Sequence, residues 1–194
     1  MGWDERYGQA RQWSEEPNRL AAELIGPLPP GRAVDVAAGE GRMALWLAAR
    51  GWHVSAVDFS AVGLKRGQQN APAGATIEWQ VADVRTAEFG EGTVDLALVL
   101  YLHLPHDEIV DVLHRTALAV RPGGHLLVLG HDRENLTRGV GGPQDPDILH
   151  DVAVLGSAAV LGDPEDWRID RLEQVDRPTA TGTAVDTLLW GQRR

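Results

Sequence analysis

Three aspartates and two glycines are spaced as if around one ligand. In VDVAAGEGRMA (34–44), Gly39, Gly41 and Ala44 follow the G-x-G-x-x-A order of a dinucleotide turn, and Asp35 stands four residues before Gly39. Glycines here permit a tight strand-to-helix turn and let a ligand approach the backbone, while the helix beyond offers N–H groups and a positive dipole end. A pyrophosphate uses such a turn, but Asp35 would repel phosphate and attract an ammonium group. Asp58, 17 residues after Gly41, closes a second apolar run, where an acid can accept both hydroxyls of a ribose. Ser60 reads equally as the N-cap of the next helix. Asp83, in VADV, is placed to accept from an exocyclic amine such as that of adenine. A ligand with a ribose, an adenine and a cationic arm in place of phosphates would answer all three acids.

A second group is histidine-rich. His103 and His106 in YLHLPH, and His131 beside Asp132 in LGHD, fall at strand ends on the same edge. His103 and His131 are the candidate bases or substrate-side residues, and no metal is expected. Of the seven tryptophans, Trp3 and Trp13 lie in a polar N-terminal segment, where a cover over the ligand would account for burying an indole.

These residues need a parallel sheet to bring them together. RAVDVA (32–37) follows the breaker PLPPG and reads as a first strand; RMALWLAARG reads as a helix with Leu45, Trp46 and Ala49 on one face and Gly51 at its end. HVSAVD (53–58), TIEWQVAD (76–83), TVDLALVLYL (93–102) and HLLVLGH (125–131) are the next strands. Helices are expected at SAVGLKRGQQN and from Pro105, the latter with Ile109, Val112, Leu113, Ala117 and Val120 on one stripe. Successive strand-then-helix steps predict a doubly wound α/β sheet that binds ligands at its C-terminal strand edge. A long loop (132–147), a helix over 148–161 and strands near 167–176 and 183–190 complete the chain. Such a loop in a compact domain is expected to be functional or mobile.

The whole sequence narrows the partners. There are 28 acids against 18 bases, a net charge of −10, so a phosphate backbone is a poor substrate and no nucleic acid partner is expected. Without cysteine there are no disulfides and no thiolate chemistry. The N-terminus lacks the apolar core of a secretory signal and no stretch is long enough for a membrane span, so a cytoplasmic protein is expected.

Asp35-Val-Ala37-Ala-Gly39-Glu-Gly41, followed by Asp58-Phe59-Ser60 and Ala82-Asp83-Val84, resembles the motif series of class I S-adenosylmethionine-dependent methyltransferases. Ala37 departs from the family's D-x-G-x-G-x-G. The resemblance implies a Rossmann-like seven-stranded sheet of order 3-2-1-4-5-7-6 with strand 7 antiparallel, TAVDTLLW (183–190) being its candidate. It implies S-adenosylmethionine as cofactor, S-adenosylhomocysteine as product, Asp58 on the ribose and Phe59 against the adenine. The Gly39–Gly41 backbone, Leu100 and Tyr101 would flank the methionine arm. WDERY, WSEEPN and YLHLP are similar to the small tellurite and thiopurine methyltransferase-like branch, which implies a cover over the donor bearing Arg6, Tyr7 and Trp13. The expected organisation is a single domain over 1–194: an N-terminal lid or helix segment (1–30), a donor-binding core (31–131), and a loop, helix and two strands (132–194). The expected acceptor is a small molecule with a soft or anionic nucleophile. Two other readings stay open: an NAD(P)-dependent oxidoreductase on the same turn, and a non-catalytic Rossmann-like module.

Overall fold

The apolar runs become the strands of one mixed sheet. A computed structural model describes residues 16–194. In chain order it contains α1 (Arg19–Ile25), β1 (Arg32–Val36), α2 (Arg42–Ala48), β2 (His53–Asp58), α3 (Ala61–Asn70), β3 (Ile77–Val81), β4 (Val94–Leu100), α4 (His106–Ala119) and β5 (Val120–His131). The short helices α5 (Asn135–Arg138), α6 (Val152–Leu155) and α7 (Ala158–Leu161) follow, and the hairpin β6 (Trp167–Thr179) and β7 (Gly182–Arg193) closes the chain. The strand order is β3-β2-β1-β4-β5-β7-β6. The first five strands are parallel, because a helix or long crossover separates each from the next; β7 runs antiparallel to both β5 and β6. The class I methyltransferase topology expected from the resemblance is therefore present.

Strand alternation divides the core between the two faces. Val34, Val36, Ala97 and Val99 point to one face, where Ile109, Val112, Leu113 and Ala117 of α4 cover them. Ala33, Leu96 and Leu98 point to the other, beneath Ala21 and Ile25 of α1 and Met43, Ala44 and Leu47 of α2. Among the described residues no helix is long and apolar enough to cross a membrane.

Three local expectations change. On α2 the buried stripe is Met43, Ala44 and Leu47, not Leu45, Trp46 and Ala49. Trp46 is instead half-buried at the edge of that core, with the Arg50 guanidinium 4.0 Å from its ring centre. The helix expected over 148–161 is divided into a 3-10 turn, α6 and α7. Asp151 caps α6 through the Ala153 N–H, and at Gly156 the Leu172 side chain occupies the space a methyl would need. Finally, β5 begins at Val120, directly after α4, and its register with β4 shifts between the Val94 and Leu96 pairs, where Pro122, Gly123 and Gly124 intervene.

Candidate functional site

The turn after β1 uses three left-handed residues in alternation: Ala37 (φ 61°), Gly39 (φ 59°) and Gly41 (φ 70°). Ala37, where the family pattern has glycine, holds this conformation at a cost of about 1–2 kcal/mol. The turn's own N–H groups are already engaged: Ala38 donates to the Val57 carbonyl at 3.0 Å, Gly41 to that of Ala38 at 2.8 Å, and Gly39 to Asp58 Oδ2 at 2.8 Å. Gly41 serves packing as well, since the Trp79 ring lies where Cβ atoms of Gly41 and Gly67 would stand. The same contact explains Gly67 inside α3.

A cleft of about 290 Å³ opens at the C-terminal edge of β2, β1 and β4. Of the residues expected in a site, Asp35, Ala37, Gly39, Asp58, Phe59, Leu100, Tyr101 and His103 line it. Gly41, Ser60, Ala82, Asp83, Val84 and His131 are outside that lining. Ser60 caps α3 by accepting the Gly63 N–H at 3.0 Å, and Val84 is buried in the core. Arg6, Tyr7 and Trp13 lie outside the described residues.

The three acids have separate fates. Asp35 is buried, and burial, helped by the Asp58 charge, pushes its carboxyl up to about 7 against the opposing pull of the Ala44 N–H and Arg42. Its Oδ2 has no hydrogen-bond partner among the described residues, although it belongs to the cleft wall. Asp58 is buried too, with Oδ2 on the Gly39 N–H and Oδ1 on the Ser60 N–H, each at 2.8 Å. Asp83 is clasped by Arg85, whose Nη2 reaches Oδ2 at 2.6 Å and whose side chain holds the carboxyl below its usual range. Phe59 stands on the rim, 52% exposed.

Beside the cleft, Tyr101 closes β4 with φ 58°. Its hydroxyl donates to Asp186 Oδ2 at 2.8 Å and accepts from Asn18 Nδ2 at 3.3 Å, which ties α1 to the site. Arg177 Nε donates to the same Oδ2 at 2.6 Å, with its guanidinium 5.3 Å from the Tyr101 ring centre. Burial alone would raise the Asp186 carboxyl, but the contacts from His131, Arg177 and Tyr101 hold it below its usual range. Burial, with Asp186 adding to it, raises the Tyr101 hydroxyl.

His103 is held through Nε2, which accepts the His131 N–H at 3.1 Å; burial, then His150 and His131, push its pKa down to about 3 against the Tyr101 backbone, which raises it. His131 stacks on His103 at 5.4 Å, and its Nδ1 lies 3.1 Å from Asp186 Oδ1, at an angle too bent for a hydrogen bond. Gly142 packs closely against the His131 ring. The loop bearing Gly142 is pinned, with Asn135 Nδ2 donating to the Gly141 carbonyl at 2.8 Å and Val140 N–H to that of Thr183 at 3.1 Å. Among the described residues, no group of histidines and acids is arranged to hold a metal.

Residues 33–124 match the methyltransferase domain family. This stretch, a little under half of the chain, is similar to methyltransferase domains. The chain carrying it is 30% identical over 125 residues to the demethylmenaquinone methyltransferase of Renibacterium salmoninarum, covering 62% of this chain and 48% of that protein. The chain thus spans about half the length of that curated relative. In fold, the methyltransferase domain and its flanking elements are similar to magnesium protoporphyrin IX methyltransferase of Synechocystis PCC 6803, crystallised with bound S-adenosylmethionine. The TM-score is 0.67 at 20% identity, over 90% of this chain and 76% of that one. TehB of Haemophilus influenzae gives a TM-score of 0.73 at 12% identity, over 92% and 63%. At these identities the likeness is one of fold.

The methyltransferase domain and its flanks also supply wall residues that sequence reasoning missed: Glu40, Arg42, Met43, Leu102, Leu104, Pro143 and Ile148. Glu40 is buried and pairs with Arg66 at 3.2 Å. Asp186 was also missed, although an acid inside the otherwise apolar run AVDTLLW was a visible signal.

Proposed function

We propose that the chain is an S-adenosylmethionine-dependent methyltransferase acting on a small molecule. The observation that carries this reading is Asp35 Oδ2, a carboxylate oxygen buried in the cleft wall with no hydrogen-bond partner among the described residues. A buried carboxylate with an unused oxygen favours a cation, and the ammonium of a methionine arm is one that fits beside the Ala37–Gly39 backbone. A dinucleotide's pyrophosphate at the same place would meet the Asp35 charge unfavourably, which disfavours the oxidoreductase reading.

The other donor contacts follow from placement. Asp58 lines the cleft at the end of β2, where the Gly39 and Ser60 N–H groups fix its carboxylate in the place from which it would meet a ribose. The exposed Phe59 ring offers a face to adenine, and Leu100 and Tyr101 border the arm. Asp83 stands outside the cleft lining, with Arg85 on its carboxylate, and would have to reach adenine from there. The bound donor would supply the methyl as a sulfonium electrophile, leaving the protein to align the acceptor and exclude water.

Among the described residues His103, held on Nε2 and with its pKa pushed down to about 3, is a poor base, which supports an acceptor that brings its own electron pair, as the soft or anionic nucleophiles expected from the sequence do. The N-terminal motifs support a place in the small tellurite and thiopurine methyltransferase-like branch. Titration calorimetry tests the donor: S-adenosylhomocysteine should bind and NADH should not. Failure of S-adenosylhomocysteine to bind overturns the reading.

A further inference from the structure

We infer that the methyl acceptor has an uncharged, apolar body and is not a selenium or tellurium oxyanion, a conclusion that rests on the donor-binding reading above. The cleft crosses the sheet edge from β2 over β1 to β4, and its two ends differ in chemistry. Carboxylates gather at the β2–β1 end, where Asp35 and Asp58 outnumber the Arg42 guanidinium and Glu40 is paired with Arg66. Beyond β4 the wall is Leu102, Leu104, Pro143 and Ile148, all half-buried around open space. Half-exposed apolar side chains converging on a cleft are the usual lining for an apolar ligand.

Polar groups at this end are already committed. The Tyr101 hydroxyl is held between Asp186 and Asn18, and the Nε2 of His103 by the His131 N–H. Among the described residues this end of the wall therefore offers neither a cation nor an uncommitted hydroxyl to an oxyanion, the Arg42 guanidinium lying at the carboxylate end, and an oxyanion's remaining hydrated oxygens would stay charged or polar throughout the reaction. A thiol meets no such obstacle. Its proton leaves to water and its sulfur pair forms the new bond to the methyl carbon. As that bond forms, the C–S⁺ bond breaks in the same in-line step and its electron pair passes to the donor sulfur, so both charges are discharged.

The test uses the purified full chain with S-adenosylmethionine and reads S-adenosylhomocysteine formed. The probes are alkanethiols from ethanethiol to octanethiol, benzenethiol, selenite and tellurite, alongside calorimetry of S-adenosylhomocysteine alone. The expected result is a kcat/KM that rises roughly threefold to fourfold per added methylene until the wall is covered, with both oxyanions at background. If S-adenosylhomocysteine binds but chain length has no effect, or selenite or tellurite outpaces every thiol, or no thiol is methylated, the inference is overturned and the donor reading stands. If S-adenosylhomocysteine does not bind, the donor reading fails and the inference fails with it.

Discussion

Asp58 Oδ2 accepts the Gly39 N–H at 2.8 Å while its Oδ1 accepts that of Ser60 at the same distance. One carboxylate thus ties the turn after β1 to the N-terminus of α3. Asp58→Ala would strand two buried N–H groups, at about 1–3 kcal/mol each. The expected outcome is a lower melting temperature together with S-adenosylhomocysteine affinity reduced by at least about tenfold. Asp58→Asn keeps one acceptor and should recover part of the melting temperature, with affinity still reduced. Melting curves and calorimetry on both variants check this, and an unchanged affinity in Asp58→Ala rules out the ribose role.

The contrast between Asp58 and Asp83 shows what was legible in the sequence. Both are acids after strand-like runs, and the spacing to the glycine turn brought Asp35, Asp58 and Phe59 to one cleft as expected. Asp83 instead stands outside that lining and pairs with a neighbour two residues away, Arg85, a local contact that strand spacing does not reveal. The strand order was legible because alternating strands and helices leave few topologies, and the resemblance supplied the antiparallel strand. Side-chain partners across long loops were not. Asp186 faces His131 only because the β5–β7 register pairs them, and Pro143 and Ile148 reach the cleft through a loop whose path is fixed by Asn135. Nor did the pattern fix which face of α2 is buried, since Leu45, Trp46 and Ala49 are as apolar as Met43, Ala44 and Leu47.

Asp35→Asn should move stability and binding in opposite directions. The carboxyl is raised from 3.8 to about 7 in the fold, so ionising it there costs about 4 kcal/mol by linkage. Asparagine can still accept the Ala44 N–H and carries no charge. At pH 8 the ligand-free variant should melt higher than the parent. Its affinity for S-adenosylhomocysteine should fall, having lost the partner of the ammonium. A variant both less stable and equally tight would mark Asp35 as a purely structural acid.

The pH dependence of stability follows from three buried groups. His103 and His150 are depressed from 6.5 to about 3 and about 4, so the unfolded chain takes up these protons first and stability falls as pH drops below 6.5. Asp35 has the reverse sign: the fold keeps a proton that the unfolded chain has released, so stability falls as pH rises from about 4 to 7. Between about pH 4.5 and 6 these two histidines outweigh the one carboxyl by one proton, and with His125, which burial also lowers, adding in the same direction, stability should rise by at least about 1.4 kcal/mol per pH unit. In Asp35→Asn the opposing proton is gone and the slope should steepen by about 1.4 kcal/mol per unit. Urea unfolding across this window measures both slopes; identical slopes would show that Asp35 titrates normally.

Gly142 is the last position where geometry yields a definite outcome. Its φ of 74° is one that a β-carbon disfavours, and an added Cβ would stand 2.7 Å from His131 Cδ2 and 2.9 Å from Nε2. His131 cannot retreat easily, because His103 is stacked on it at 5.4 Å and its backbone N–H is bound to the His103 ring. Gly142→Ala should therefore displace the loop outward, and Pro143, the next residue, with it. Because Pro143 lines the cleft at the end far from Asp58, the change should raise the KM for an apolar thiol several-fold while S-adenosylhomocysteine affinity stays within about twofold. Backbone strain should lower the melting temperature by an amount equivalent to about 1–2 kcal/mol. Donor and acceptor affinities measured on one preparation separate the effects, and an equal loss of both would mean that the loop supports the whole cleft rather than its acceptor end.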